Sequence, residues 1–237
     1  MSCETIPTEI LCQIFLSLCR KPIATHVLGN RECFDGFPWA VGQVCRRWRE
    51  AFLCYPQLWT SFYLEYLDGP GIDGVDKVDM KGFAEMDRRT VMYLERSGQL
   101  PLTIIVSVLS FSEHGLIRNL PRAAWRSLLS CSNRWKRADL VLGLVPNMVN
   151  DLLERRGKIS MLESMALNTS KTFSVRKPQE RAFAVAPRLT ELKLKHYGRN
   201  SGWVFPWSQL TKFNIEMYNA ESFPSAQLEA VLSQLQI

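Results

Sequence analysis

No apolar run in this chain approaches the ~20 residues that a membrane-spanning helix needs. The longest, Leu102 to Leu109, is broken by Thr103 and Ser107 and reads as a strand. No membrane partner is expected. The opening Met1-Ser2-Cys3-Glu4 lacks the basic and apolar stretches of a secretory signal. The seven cysteines (3, 12, 19, 33, 45, 54 and 131) contain no Cys-x-x-Cys pair, and their number is odd. Reduced thiols in a cytoplasmic or nuclear setting follow from that usage. Histidine is scarce too: His26, His114 and His196 stand in unrelated contexts, without the spacing that zinc requires. There is no Gly-x-Ser-x-Gly elbow and no dinucleotide fingerprint. The expectation is therefore a non-enzyme, with no catalytic residue, no metal ligand and no cofactor.

What is present is ordinary for a chain that buries a core. Hydrophobic residues make up 46% of 237 positions and charged residues 22%, enough for one large domain or two modest ones. The net charge of +6 permits an acidic partner. Its basic groups are scattered and interleaved with Glu and Asp, among them Arg46, Arg47 and Arg49, then Arg134, Lys136 and Arg137. A nucleic-acid binder concentrates such groups on one element, so nucleic acid is a disfavoured partner.

Ile6, Ile10, Leu11, Ile14, Phe15 and Leu18 recur at helical spacing, with Pro7 suited to a first turn and Glu9 favoured there by the dipole. Cys12 and Leu16 widen the apolar surface. Val41, Val44, Cys45, Trp48 and Phe52 step in the same way, with Arg46, Arg47, Arg49 and Glu50 on the wet side. Tyr55-Pro56 ends that second stretch. Two amphipathic helices in ~60 residues bury little by themselves, which suggests a permanent partner.

Ile6-Pro7-Thr8-Glu9-Ile10-Leu11-x-x-Ile14-Phe15 resembles the opening of the F-box, Val44-Cys45-Arg46-Arg47-Trp48 resembles its core, and Leu58-Trp59 its close. The resemblance implies a receptor subunit of a cullin–RING ubiquitin ligase that docks on the Skp linker and, through it, on the cullin. Carried over, Pro7, Ile10, Leu11, Ile14, Phe15 and Leu18 would serve linker docking or the module's core from the first helix. Val44, Cys45 and Trp48 would do so from the second. The sequence does not sort the two roles. Residues 20–38 hold Pro22, Gly29, Asn30, Gly36 and Pro38 and read as an inserted loop, as in F-box proteins of mushroom-forming fungi.

Beyond a turn-rich acidic stretch from Leu67 to Gly82, strand-like and helix-like pieces alternate. Trp59-x-x-Phe62-x-Leu64, Trp135-x-x-Ala138-x-Leu140, Leu162-x-x-Met165-x-Leu167, Leu189-x-x-Leu192-x-Leu194 and Leu210-x-x-Phe213-x-Ile215 share one form. It is that of a leucine-rich repeat. The fold class expected is therefore an α-β solenoid: a small all-helical F-box over 1–60, then an irregular leucine-rich-repeat-like α/β arc over 61–237, ending short or truncated. Residues between the strand leucines would point outward, making Lys193, Lys195, Tyr197, Glu216 and Tyr218 candidates for holding an unknown protein target. Trp203 and Trp207 would pack a crossover, the alternative being that they are exposed anchors. The functional expectation is an adaptor that recruits a protein for ubiquitination. The alternatives are an interaction module outside the ligase or a truncated remnant, and more distantly a basic nucleic-acid binder.

Overall fold

In a computed structural model, residues 6–18, 24–28, 40–68, 80–110, 122–142, 146–155, 157–169, 182–195, 203–216 and 233 are described. The first helix, α1 (Thr8–Leu18), starts where the sequence places it. The Pro7 carbonyl accepts from the amides of Ile10 and Leu11 at 3.1 Å each, closing the first turn. α1 buries Leu11, Cys12 and Phe15. Desolvation, with Glu9 adding to it, pushes the Cys12 thiol above its ordinary value and keeps it a small hydrophobe.

The second helical stretch is two helices, not one. α2 (Val41–Val44) is a single turn, and α3 (Arg46–Cys54) begins afresh after Cys45, whose φ of −159° is fully extended. The Cys45 Sγ accepts from the Trp48 amide at 3.5 Å, so a thiol fills the N-cap position usually held by Ser or Asp. Between α1 and α2, Ala24–Leu28 forms strand β1, which pairs in parallel with β2 (Ser61–Asp68).

Three helix and strand pairs and two further strands follow: α4 (Met80–Arg96) and β3 (Leu102–Ser110), α5 (Arg122–Ser130) and β4 (Trp135–Leu142), α6 (Pro146–Leu153) and β5 (Ser164–Thr169), then β6 (Glu191–Lys195) and β7 (Lys212–Glu216). All seven strands lie in one sheet, in sequential order and parallel throughout. Each strand stands beside its sequence neighbour, so every link must return to the same end of the sheet.

This corrects the expected fold class. The N-terminal stretch is not an all-helical F-box joined to a separate leucine-rich-repeat-like arc, because the all-parallel sheet already begins inside it, at β1. The fold is α/β. The reason lies in Ala24-Thr25-His26-Val27-Leu28, a short β-prone run between turn-forming residues whose backbone groups find partners only on the open edge of β2. Buried residues of α1 and α3 share one continuous core with those of the sheet.

The core lies on one face of the sheet. Phe62, Leu64, Ile104, Val106, Ala138, Leu140, Met165, Leu167, Leu192 and Leu194 are buried there, beneath Met86 and Tyr93 of α4, Trp125 and Leu128 of α5 and Leu152 of α6. An aromatic chain links the N-terminal helices to it: Phe52 to Trp59 at 4.8 Å, Trp59 to Tyr93 at 4.7 Å, and Tyr93 to Phe62 at 5.4 Å. Two tryptophans repeat one device. The Trp59 indole N–H donates to the Phe52 carbonyl in the last turn of α3, and that of Trp135 to the Leu128 carbonyl in the last turn of α5, both at 3.2 Å. Each meets a carbonyl in the last turn of a helix, where backbone acceptors are left over.

Arg134, 7% exposed, binds the α4–β3 turn. Its guanidinium donates to the Leu100 carbonyl at 2.9 and 3.0 Å and to Ser97 Oγ at 2.7 Å. That turn needs Gly98, whose φ is +56°. Trp203 packs as expected, against Phe183 at 5.5 Å, and Trp207 meets Phe213 edge-on. Among the described residues no helix is long and apolar enough to cross a membrane. Most of the acidic stretch, residues 69–79, lies outside the described residues.

Candidate functional site

The apolar residues of α1 fall into two arcs. Leu11 and Phe15 have no exposure and face the core, where Phe15 meets Trp48 edge-on at 5.3 Å. Pro7, Ile10, Ile14 and Leu18 follow one another at three and four residues, so they form a neighbouring stripe. That stripe is in solvent: Pro7 is exposed, Ile10 is 50%, Ile14 37% and Leu18 57% exposed. Val44, at the end of α2, is exposed as well, while Cys45 and Trp48 are half-buried. The predicted docking set is thereby divided between core and surface.

α1 is held rigidly enough to present that stripe. An Arg47 guanidinium nitrogen of α3 donates to the Ile6 carbonyl just ahead of α1. Arg49 reaches back to the Gly42 carbonyl at 2.7 Å and ties α3 to α2. Of the seven large apolar residues exposed among those described, Ile10, Ile14, Leu18 and Val44 lie in these first helices. Among the described residues exposure of this kind is concentrated there, which makes these helices a candidate interaction site.

The second surface is the sheet face opposite the core. Strand residues alternate between buried and half-buried, as β4 and β6 both show. The register sets the outward residues in rows. One runs Tyr63, Ile105, Asp139, Ala166, Lys193, Asn214, and the next runs Glu65, Ser107, Val141, Asn168, Lys195, Glu216. No described helix packs on this face.

Lys193, Lys195 and Glu216, read from the sequence as outward-facing, meet on this face. Lys193 Nζ lies 2.5 Å and Lys195 Nζ 4.0 Å from the two Glu216 carboxylate oxygens. Lys212 pairs with Glu191 at 2.5 Å, and together with a Ser164 hydrogen bond it draws the Glu191 carboxyl below its ordinary value. Tyr197 and Tyr218 lie outside the described residues. Sequence reasoning missed Arg137, Asp139 and Ala166, which belong to the same face one and two strands earlier. The signal was available, since the motifs Trp135-x-x-Ala138-x-Leu140 and Leu162-x-x-Met165-x-Leu167 expose their intervening residues by the same alternation.

Asp139 stands out electrostatically. Desolvation raises its carboxyl above the ordinary value, and the ammonium groups of Lys195 and Lys193 offset only part of that. No protein-family model matches the chain, and no curated protein matches it.

Proposed function

We propose that this chain is a non-catalytic adaptor. The stripe Pro7, Ile10, Ile14 and Leu18, with Val44, docks a Skp-type linker subunit, and through it a cullin. The outward face of the sheet holds a protein target for ubiquitination by other subunits. The observation that carries this reading is the solvent exposure of three large aliphatic side chains in register on α1. They sit at positions that match the F-box opening. Burying them on a partner is favourable by about 25 cal/mol per Å² of apolar surface. An adaptor needs no reacting groups of its own, because raising the local concentration of a target lysine near a charged conjugating enzyme supplies the rate.

The test is co-purification of the whole chain with a Skp linker, beside the variant Ile14→Asp. Capture by the native chain and loss in a folded variant support the adaptor. No capture by a folded native chain refutes it, and leaves an interaction module outside the ligase.

A further inference from the structure

Asp139 is placed unlike any other charged residue on the outward face. Its cross-strand neighbours are Ile105 on β3 and Ala166 on β5, one apolar and one small. Its strand neighbour on the same side is Val141. The cations that act on its carboxyl from across the sheet, Lys195 and Lys193, are drawn to Glu216 on β7. Among the described residues Asp139 itself makes no hydrogen bond and no ion pair within 4.0 Å. Glu191, its acidic counterpart two strands away, is held by Lys212 and Ser164. Strands stand ≈ 4.8 Å apart, so Ala166 forms a floor roughly 10 Å wide between Asp139 and Lys193.

A half-buried carboxylate with no donor among the described residues, beside a small-residue floor, is complementary to a cation on a long apolar stem. We infer that Asp139 and the Ala166 floor form a seat for an arginine or lysine side chain of a target protein, its stem lying over Ala166 and its head on the carboxylate. This deepens the adaptor reading, since it rests on the sheet face being the target-holding surface. Glu65, which makes no ion pair among the described residues, lies one row along and adds to the negative character of the β2–β4 half. Arg137, exposed on β4 two residues before Asp139, opposes it. Its effect is spent partly on Glu191. Charge-assisted bonds to a carboxylate are the strong ones, and arginine offers a two-pronged match.

The experiment titrates the isotopically labelled full chain with the peptide acetyl-Ala-Leu-Arg-Leu-Ala-amide and follows backbone amide shifts by NMR. Two controls replace arginine with citrulline, which keeps the shape without the charge, or with glutamate. The expected result is saturable shifts at Ile105, Asp139 and Ala166 with the arginine peptide. Citrulline, or Asp139→Asn in the protein, should weaken binding at least tenfold, and Ala166→Trp should block it while leaving the charge in place. Equal binding of arginine and citrulline peptides overturns the inference. So does preference for the glutamate peptide, which would assign the face to Lys193 and Lys195, or the lack of any localised shift. Ile14→Asp should leave peptide binding intact and Asp139→Asn should leave linker capture intact. Failure of the adaptor reading and failure of this seat are therefore separately visible.

Discussion

Ile14→Asp against Phe15→Ala is the sharpest test of the two arcs of α1. Ile14 retains 37% of its surface in solvent and Phe15 none, although the two are adjacent in sequence. Fully burying a large aliphatic side chain is worth about 1.5–3 kcal/mol. The exposed part of Ile14 therefore contributes about 0.5–1 kcal/mol to docking. Aspartate also brings a charge that must be desolvated at the interface, which adds several kcal/mol. Linker affinity should fall at least 100-fold, while the melting temperature of the free chain moves by no more than a few degrees. Phe15→Ala should behave in the opposite way. It leaves a cavity against Trp48 and costs about 3–5 kcal/mol of folding stability. Isothermal titration with the linker and thermal denaturation of each free chain separate the two. If Ile14→Asp unfolds the chain as far as Phe15→Ala does, the stripe belongs to the fold and is not a docking surface. If it leaves linker affinity unchanged, the stripe docks nothing of that kind.

Arg134→Ala should lower stability by about 2–4 kcal/mol, because Ser97 and the Leu100 carbonyl lose a charged donor in a buried setting. Arg134→Lys should recover little, since an ammonium cannot span both acceptors; denaturant titration reads both. Asp87→Ala removes the carboxylate that accepts from the Ala124 amide at 2.7 Å near the start of α5. It should cost about 1 kcal/mol, with Asp87→Asn nearly neutral. The Glu85 carboxyl is lowered to about 2 chiefly by hydrogen bonding to Arg88, with Arg89 adding to it. A depressed carboxylate stabilises the fold above its unfolded value and ceases to as pH falls from about 4.5 to about 2. Glu85→Gln should therefore be slightly less stable at pH 7, within the range of about 0–1 kcal/mol for surface pairs, and equal to the parent near pH 2. Asp139 has the opposite sign: its raised carboxyl penalises the ionised form in the folded state. Asp139→Asn should melt higher at pH 7, and the gain should fade as pH falls from the raised folded-state value to the ordinary aspartate value and be gone below it.

Strands were legible wherever apolar residues alternate with polar ones. The five segments of the form Leu-x-x-Leu-x-Leu all carry strands, β2, β4, β5, β6 and β7. The alternation of Leu102 with Ile104, Val106 and Val108 gave β3. What was not legible was β1. Five residues between turn formers carry too little pattern to be told from a loop, and their partner lies more than thirty positions away, at Tyr63 to Tyr66. Missing that one strand changed the fold class, because it turned the first sheet member into part of an expected helical module. The split between α2 and α3 escaped for a related reason. Helical periodicity runs smoothly through Val41, Val44, Cys45 and Trp48, and nothing in it marks the extended backbone at Cys45.

The sorting of the candidate site was beyond periodicity in a more basic way. In α1 the stripe Ile10, Ile14, Leu18 and the stripe Leu11, Phe15 differ by about 100° around one cylinder, so a single helix presents two apolar arcs of equal hydrophobicity. Only the position of α3 decides which arc is covered. Phe15 finds Trp48, and Arg47 fixes the start of α1 through the Ile6 carbonyl, which turns Ile10 and Ile14 outward. A residue on α3 therefore controls the proposed docking surface on α1 without lying in it. Arg47→Ala should loosen that orientation and weaken linker binding by about tenfold, the lower end of the worth of one charged hydrogen bond, about 1.5 kcal/mol. Hydrogen exchange at the α1 amides is the discriminating measurement. Faster exchange together with weaker binding is the expected pair. Weaker binding with unchanged exchange would make Arg47 a direct contact, and the rigid presentation of the stripe would then have to come from Phe15 and Trp48 alone.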